Sequence, residues 1–245
     1  MTTTERRVGR APLTRERVLL AAMHIADADG IGTLTMRSLA DTLAVKPMAI
    51  YHHMTNKEQI LDGIVDLVFA EIVQPPIDAP WRAALASRAA SVREVLGRHP
   101  WTIGLMESRR APGPATLRHH ETVIALLRNA GFTHAAIAHA IAFLDAYVYG
   151  FALQEVSLPF EGPDDVPELA EEILAQMPAD EYPNFVEFAR EHVLQPGYDF
   201  GNEFDIGLGM VLDGIAGLEG AAPSITRSGR SPDRTSKRTN TSPDR

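Results

Sequence analysis

Between residues 34 and 57 the chain reads LTMRSLADTLAVKPMAIYHHMTNK, and this stretch constrains the fold more than any other. Met36, Leu39, Ala40 and Leu43 fall on one face at helical spacing. A hydroxyl just upstream, on Thr33 or Thr35, suits the N-cap because it accepts from a free backbone N–H. Ala44 and Val45 lie where a helix pair must turn. Pro47 suits the first turn of a new helix, where its missing N–H is not needed. Ala49 and Ile50 are small or apolar enough to pack on the first helix, which leaves Met48, Tyr51 and His52 pointing outward. Helix, tight turn and helix, then an aromatic-histidine patch and the cation Lys57, is the layout of a helix-turn-helix reader of DNA.

The flanks complete the unit. Residues 14–28 carry Val18, Leu19, Ala22, Ile25 and Ala26 on one stripe, ended by Asp29-Gly30 with Gly30 suited to a left-handed cap. Thr55-Asn56-Lys57-Glu58 offers a capping box for a helix that runs to Ile72, before Pro75-Pro76. Further helices are expected over 81–98, 101–108, 116–129, 133–158, 167–175, 184–194 and 199–218. No alternating pattern of useful length is present, so the fold class is all-α.

Residues 14–73 resemble the N-terminal domain of the TetR family of one-component transcriptional regulators. The residues that carry the resemblance are Leu34-Thr35, Leu39-Ala40, Leu43-Ala44-Val45, Tyr51, His53 and Asn56-Lys57. One departure is Ala44, where the family usually has Gly. The second half is similar to the tetracycline-repressor type of C-terminal domain, through Trp81, His99-Pro100-Trp101, Ala130-Gly131-Phe132, residues 150–155 and residues 204–214. The expected organisation is a flexible basic arm over 1–12 and a three-helix DNA-binding domain over 13–60. A helical effector-binding and dimerisation domain over 61–218 and a disordered tail over 219–245 complete it. The tail has almost no apolar residues with which to offset its ordering entropy.

Composition agrees with this reading. The chain has no cysteine, which removes disulfides and thiolate metal sites and fits a cytoplasmic setting. The apolar stretch 135–153 is interrupted by His139 and Asp145, and reads as a buried helix rather than a membrane span. The net charge of −9 is unevenly spread. Residues 1–60 hold 8 Lys/Arg against 6 Asp/Glu, whereas residues 61–218 hold 9 against 23. The acidic part would be repelled by a duplex and the N-terminal unit would not. An acidic surface serves equally to keep a regulator soluble.

The resemblance implies which residues touch DNA. Arg37 sits where related repressors place a base-reading arginine, and a bidentate contact to guanine is its natural role. Thr35 lies at the start of the same helix. Lys46, Pro47, Met48 and Ala49 open the recognition helix; the last three would read thymine methyls or shape. Tyr51, His52 and Lys57 correspond to phosphate-binding positions, and His53 reads as a structural histidine. The resemblance also places a small-molecule pocket in the second domain. Its candidate lining is Arg88, Val92, Trp101, Met106, Val123, Leu127, Phe143, Tyr147 and Gln154.

In tetracycline repressors a histidine and a glutamate support the drug-bound magnesium; the matching positions here are Met106 and Gln154, neither a good hard-cation ligand. A magnesium–tetracycline inducer is therefore not expected. No cofactor, metal site or catalytic motif is expected. Gly201, Gly207 and Gly209 lack the preceding strand of a dinucleotide fingerprint. The expected partners are a palindromic double-stranded operator, a small organic effector and a second copy of the chain. Small residues at Ala142, Ala146 and Gly150, and at Gly207, Gly214 and Gly217, would let the dimer helices approach. Phe143, Tyr147, Phe151, Leu208, Val211 and Leu212 would supply area. The reading of a different class is a helical ligand-binding or scaffold protein without specific DNA reading.

Overall fold

Every regular element in the computed structural model, which describes residues 12–159 and 166–219, is helical. The basic arm up to residue 11 and the tail from residue 220 lie outside the described residues. In chain order the α-helices are α1 Arg15–Asp29, α2 Met36–Leu43, α3 Pro47–Tyr51, α4 Lys57–Glu71 and α5 Trp81–Arg98. They continue with α6 Pro114–Asn129, α7 His134–Val156, α8 Val166–Ala175, α9 Pro183–Phe188 and α10 Glu203–Ala216.

The caps follow side-chain chemistry. Thr14, Thr35, Asn56 and Thr133 each accept from a backbone N–H in the first turn of α1, α2, α4 and α7. Thr35 and Ser38 cap one another reciprocally, which settles the choice between Thr33 and Thr35. At α4 the cap is Asn56, with the Gln59 side chain reaching back to the Thr55 amide.

Three expectations are corrected. Residues 103–108 form successive turns after a short 3₁₀ segment at Pro100–Thr102, not an α-helix. The helix expected over 184–194 is α9 followed by a π-turn at Ala189–Val193, where Leu194 N–H reaches back to the Ala189 carbonyl. Gly30 has φ 80 and ψ 156, a positive-φ conformation outside the left-handed helical region.

Two cores share α4, and Met23, Trp101 and Leu105 pack against both. Val18, Leu19, Ala22, Ile25, Leu39, Leu43 and Ile50 pack against Ile60, Leu61 and Ile64 from the first half of α4. Val65, Val68, Phe69 and Ile72 from its second half enter the larger core with α5, α6, α7 and α10. Gly63 stands at the crossover, where an added Cβ would lie 2.9 Å from Leu19 Cδ1.

Candidate functional site

The turn between α2 and α3 is built on Ala44, at φ 52 and ψ 48 in the left-handed region. A Cβ in that conformation costs about 1–2 kcal/mol. The backbone there is fixed by the Val45 N–H donating to the Ala40 carbonyl at 2.9 Å. Leu39, Ala40, Leu43 and Ile50 are buried beneath the turn. Their burial leaves Thr35, Arg37, Lys46, Pro47, Met48, Tyr51, His52 and Lys57 exposed, with Ala49 half-buried. Met48 is 67% exposed at the start of α3. His53 is exposed as well, and the buried residue of this corner is Met54. The reader face therefore carries Lys46, Pro47 and Met48 at its start, Tyr51, His52 and Lys57 at its end, and Thr35 and Arg37 at the start of the preceding helix.

The reader is held to the second domain by polar contacts to α1 and α4. Asp27 accepts from the Trp101 indole N–H at 2.6 Å and lies 2.7 Å from His99 Nδ1. His99 Nε2 faces Glu71 at 3.2 Å, and Arg98 pairs with Glu71 at 2.7 Å. On the other side of α4, Arg109 pairs with Glu58 at 2.9 Å and faces Asp62 at 3.6 Å. Asp66 accepts from the Thr116 amide and hydroxyl at 2.8 and 2.9 Å, capping α6 across the joint. Gly113 lets this happen, since an added Cβ would collide with the Asp66 carboxylate. The acidic residues of α4 thus grip both segments that follow α5.

The nine residues expected around an effector divide into four groups. Arg88, Val92, Met106, Val123 and Leu127 are buried. Trp101 stands at the joint on Asp27 rather than within that group. Tyr147 lies in the α7–α10 seam, where its hydroxyl donates to the Phe204 carbonyl at 2.8 Å and its ring stacks on Phe204. Phe143 and Gln154 are exposed, because Leu144 and Asp145 take the inward face of α7 at one point and Phe151 and Ala152 at the other. Those four residues are not brought to one lining.

What Arg88 meets was not foreseen. Its Nη2 donates to Asp145 Oδ1 at 3.1 Å and its Nε to His119 Nε2 at 3.0 Å, all three residues being buried. Burial first, and the Arg88 charge second, push His119 down to about 2, so it is a neutral acceptor. The Tyr149 phenol is pushed up, chiefly by burial, and donates to Glu107 at 3.3 Å. The one available sequence signal was Asp145 within an otherwise apolar helix, since a buried carboxylate demands a partner.

Beside this cluster a cavity of about 160 Å³ opens between α4, the turns after α5, and α6. Val65, Met106, Pro112 and Leu117 form its apolar walls, and Asp62, Glu107, Arg109 and His120 its polar ones. Met106 is the only one of the nine expected residues on it.

A further face is left open on α7 and α10. Phe143 (56%), Ile206 (56%) and Met210 (68%) are exposed, with Ala142, Ala146 and Gly214 between them. Phe151, Leu208, Val211 and Leu212, expected to supply dimer area, are instead buried in the protomer's own core, because α5 packs on the inner side of both helices.

Known proteins match this arrangement along most of its length. Residues 18–64 match the family described as bacterial regulatory proteins, tetR family, and residues 75–218 the tetracyclin repressor-like C-terminal domain. The chain is 34% identical over 228 residues to the helix-turn-helix-type transcriptional repressor DrrR1 of Streptomyces coeruleorubidus, across 86% of this chain and 82% of that one. It is 37% identical over 139 residues to a helix-turn-helix-type transcriptional regulator of Saccharopolyspora erythraea, across 56% of this chain and 59% of that protein's length. Among solved structures, the Streptomyces coelicolor TetR family protein ActR in complex with actinorhodin superposes with a TM-score of 0.71 at 28% identity, across 86% of this chain and all of that one.

Proposed function

The chain belongs to the TetR family, and from that premise we propose a sequence-specific DNA-binding repressor, dimeric, cytoplasmic and released from its operator by a small organic effector. The observation that carries this is the reader face: Arg37 exposed on α2, with Lys46, Met48, Tyr51, His52 and Lys57 exposed around α3 above the buried Leu39, Ala40, Leu43 and Ile50. In this reading Arg37 addresses a guanine, and Thr35, Pro47, Met48 and Ala49 the groove floor. Lys46, Tyr51, His52 and Lys57 hold phosphates, aided by the N-terminal amides of α4. The apolar α7–α10 face around Phe143, Ile206 and Met210 pairs with its copy and sets the distance between the two readers.

The effector acts through α4. The cavity between α4 and α6 is far smaller than the 300–1,000 Å³ of drug-sized sites. A multi-ring molecule enters only by separating these helices, which strains the grip of Glu58, Asp62, Asp66 and Glu71 and tilts the reader. The similarity to the repressor DrrR1 of Streptomyces coeruleorubidus and to ActR, solved in complex with actinorhodin, supports a ligand-responsive repressor.

Selection of a binding site from a random duplex library tests the reading. A palindrome is expected, with specific affinity on the order of 10⁻⁸–10⁻¹¹ M. Arg37→Ala removes discrimination at one base position by about 1–3 kcal/mol, whereas Lys57→Ala weakens all sequences alike and lowers the salt slope by about one. If no palindrome is enriched, the helical scaffold reading takes its place.

A further inference from the structure

Resting on the reading above, in which the grip on α4 holds the operator-bound posture, we propose that His99 is a proton-operated latch between the reader and the second domain. With both ring nitrogens carrying hydrogen it ties α1 to the end of α4. With one hydrogen gone it lets that end go, and the operator is released more readily as pH rises. His99 caps the C-terminus of α5, and its side chain is 8% exposed. Its Nδ1 lies 2.7 Å from Asp27 Oδ1 on α1, and its Nε2 3.2 Å from Glu71 Oε1 at the end of α4.

A carboxylate oxygen only accepts, so each ring nitrogen makes its contact as an N–H. The neutral ring has one N–H and one lone pair, so it serves one partner and turns a lone pair on the other. Distance decides which partner is lost. The Asp27 contact is the shorter, and the same Asp27 oxygen is fixed by the Trp101 indole N–H at 2.6 Å. The neutral ring therefore keeps its hydrogen on Nδ1 and sets the bare Nε2 against the Glu71 carboxylate. The charged groups around the ring favour the doubly protonated form. Asp27 faces it from α1 and Glu71 from α4, and Arg98 on its own helix holds the other Glu71 oxygen at 2.7 Å and Glu94 at 3.0 Å. One guanidinium and one imidazolium balance the two carboxylates that face the ring. Histidine ordinarily changes charge between pH 5 and 8, so the contact is made and broken within a physiological range. Glu71 is also one of the carboxylates through which α4 grips the segments after α5, and losing its imidazolium partner loosens the grip that the effector strains.

The experiment follows the full chain from about pH 5.5 to 8 by two readouts. Histidine ring ¹H–¹⁵N spectra separate the imidazolium from the two neutral tautomers. The His99 signals are identified by their loss in His99→Gln, which keeps a donor and an acceptor but does not titrate. They should pass from the imidazolium to the Nδ1–H tautomer. The second readout is affinity for the operator selected as above. Other histidines, including the exposed His52 and His53 of the reader, titrate in parent and variant alike. The deciding quantity is therefore the loss of affinity across this range in the parent, divided by the loss in His99→Gln. It should be about five or more, the lower end of ordinary coupling between two sites. Glu71→Gln, whose amide serves either form of the ring, should flatten the affinity profile in the same way. A His99 ring that stays in one form throughout, or goes to the Nε2–H tautomer, overturns the proposal. So does a quotient near one. If no operator is selected at any pH, the repressor reading falls instead, and the latch is decided by the ring spectra alone.

Discussion

Gly207 and Tyr147 make the sharpest stability test. In the middle of α10, replacing Gly by Ala ordinarily stabilises by about 1 kcal/mol. Here the added Cβ would sit 2.8 Å from Tyr147 Cε2 and Cζ and closer still to the hydroxyl. The ring is held in place by stacking on Phe204, by packing beside Phe151 and by its hydroxyl donating to the Phe204 carbonyl at 2.8 Å. Overpacking of this kind costs about 1–3 kcal/mol, and losing the hydroxyl bond about 0.5–1.5 more. Set against the helix gain, Gly207→Ala should destabilise by about 1–3 kcal/mol. Urea unfolding at fixed protomer concentration measures it, read as a lower midpoint at unchanged slope. Tyr147→Phe removes the atom that is met first, so the same glycine change in that background should cost at least about 0.5 kcal/mol less. Gly97→Ala is the control, since nothing lies within 4 Å of its added Cβ, and it should stabilise by up to about 1 kcal/mol. A neutral or stabilising Gly207→Ala would refute the close α7–α10 approach.

Three other outcomes are expected. Ala44→Gly should stabilise by about 0.5–1 kcal/mol, the left-handed strain relieved less the entropy glycine gains when unfolded, and a drop in thermal midpoint would contradict it. His119 stays neutral in the fold down to about 2, while the unfolded imidazole takes up a proton below 6.5. Its contribution is therefore present above 6.5 and lost as pH falls, at up to about 1.4 kcal/mol per unit, and His119→Gln should flatten the slope of stability against pH between 4 and 6. Met210→Asp removes about 2 kcal/mol of burial per protomer from the open α7–α10 face, so sedimentation should show dissociation at concentrations where the parent is dimeric; an unchanged dimer would move the interface elsewhere.

Local chemistry was legible in the sequence and long-range pairing was not. Thr35, Asn56 and Thr133 announce their helices because a cap needs only its own next turn. The packing of Ala49 and Ile50 left Met48, Tyr51 and His52 outward, whereas Arg37, Lys46 and Lys57 were implied by the family resemblance. Residues 103–108 turn rather than coil into the expected helix, and on either side of them Trp101 meets Asp27 and Arg109 meets Glu58, contacts that local sequence does not encode. Arg88, His119 and Asp145 come from three helices, and no spacing within any one of them encodes that meeting. Phe143 could be assigned to the pocket or to the open face, since sequence gives the period of a helix and not its rotation about the axis.

The Trp101–Asp27 contact gives the chain an optical property. Of the two tryptophans, Trp81 lies edge-on to Phe132 within the second domain, whereas the Trp101 indole donates its N–H to a carboxylate of the reader. Indole emission responds to the field of a neighbouring charge, so light from Trp101 follows the distance to Asp27. With Trp81→Phe as background, any change at the Trp101–Asp27 contact on DNA or effector binding should alter the chain's own fluorescence, which stopped-flow can follow on unlabelled protein.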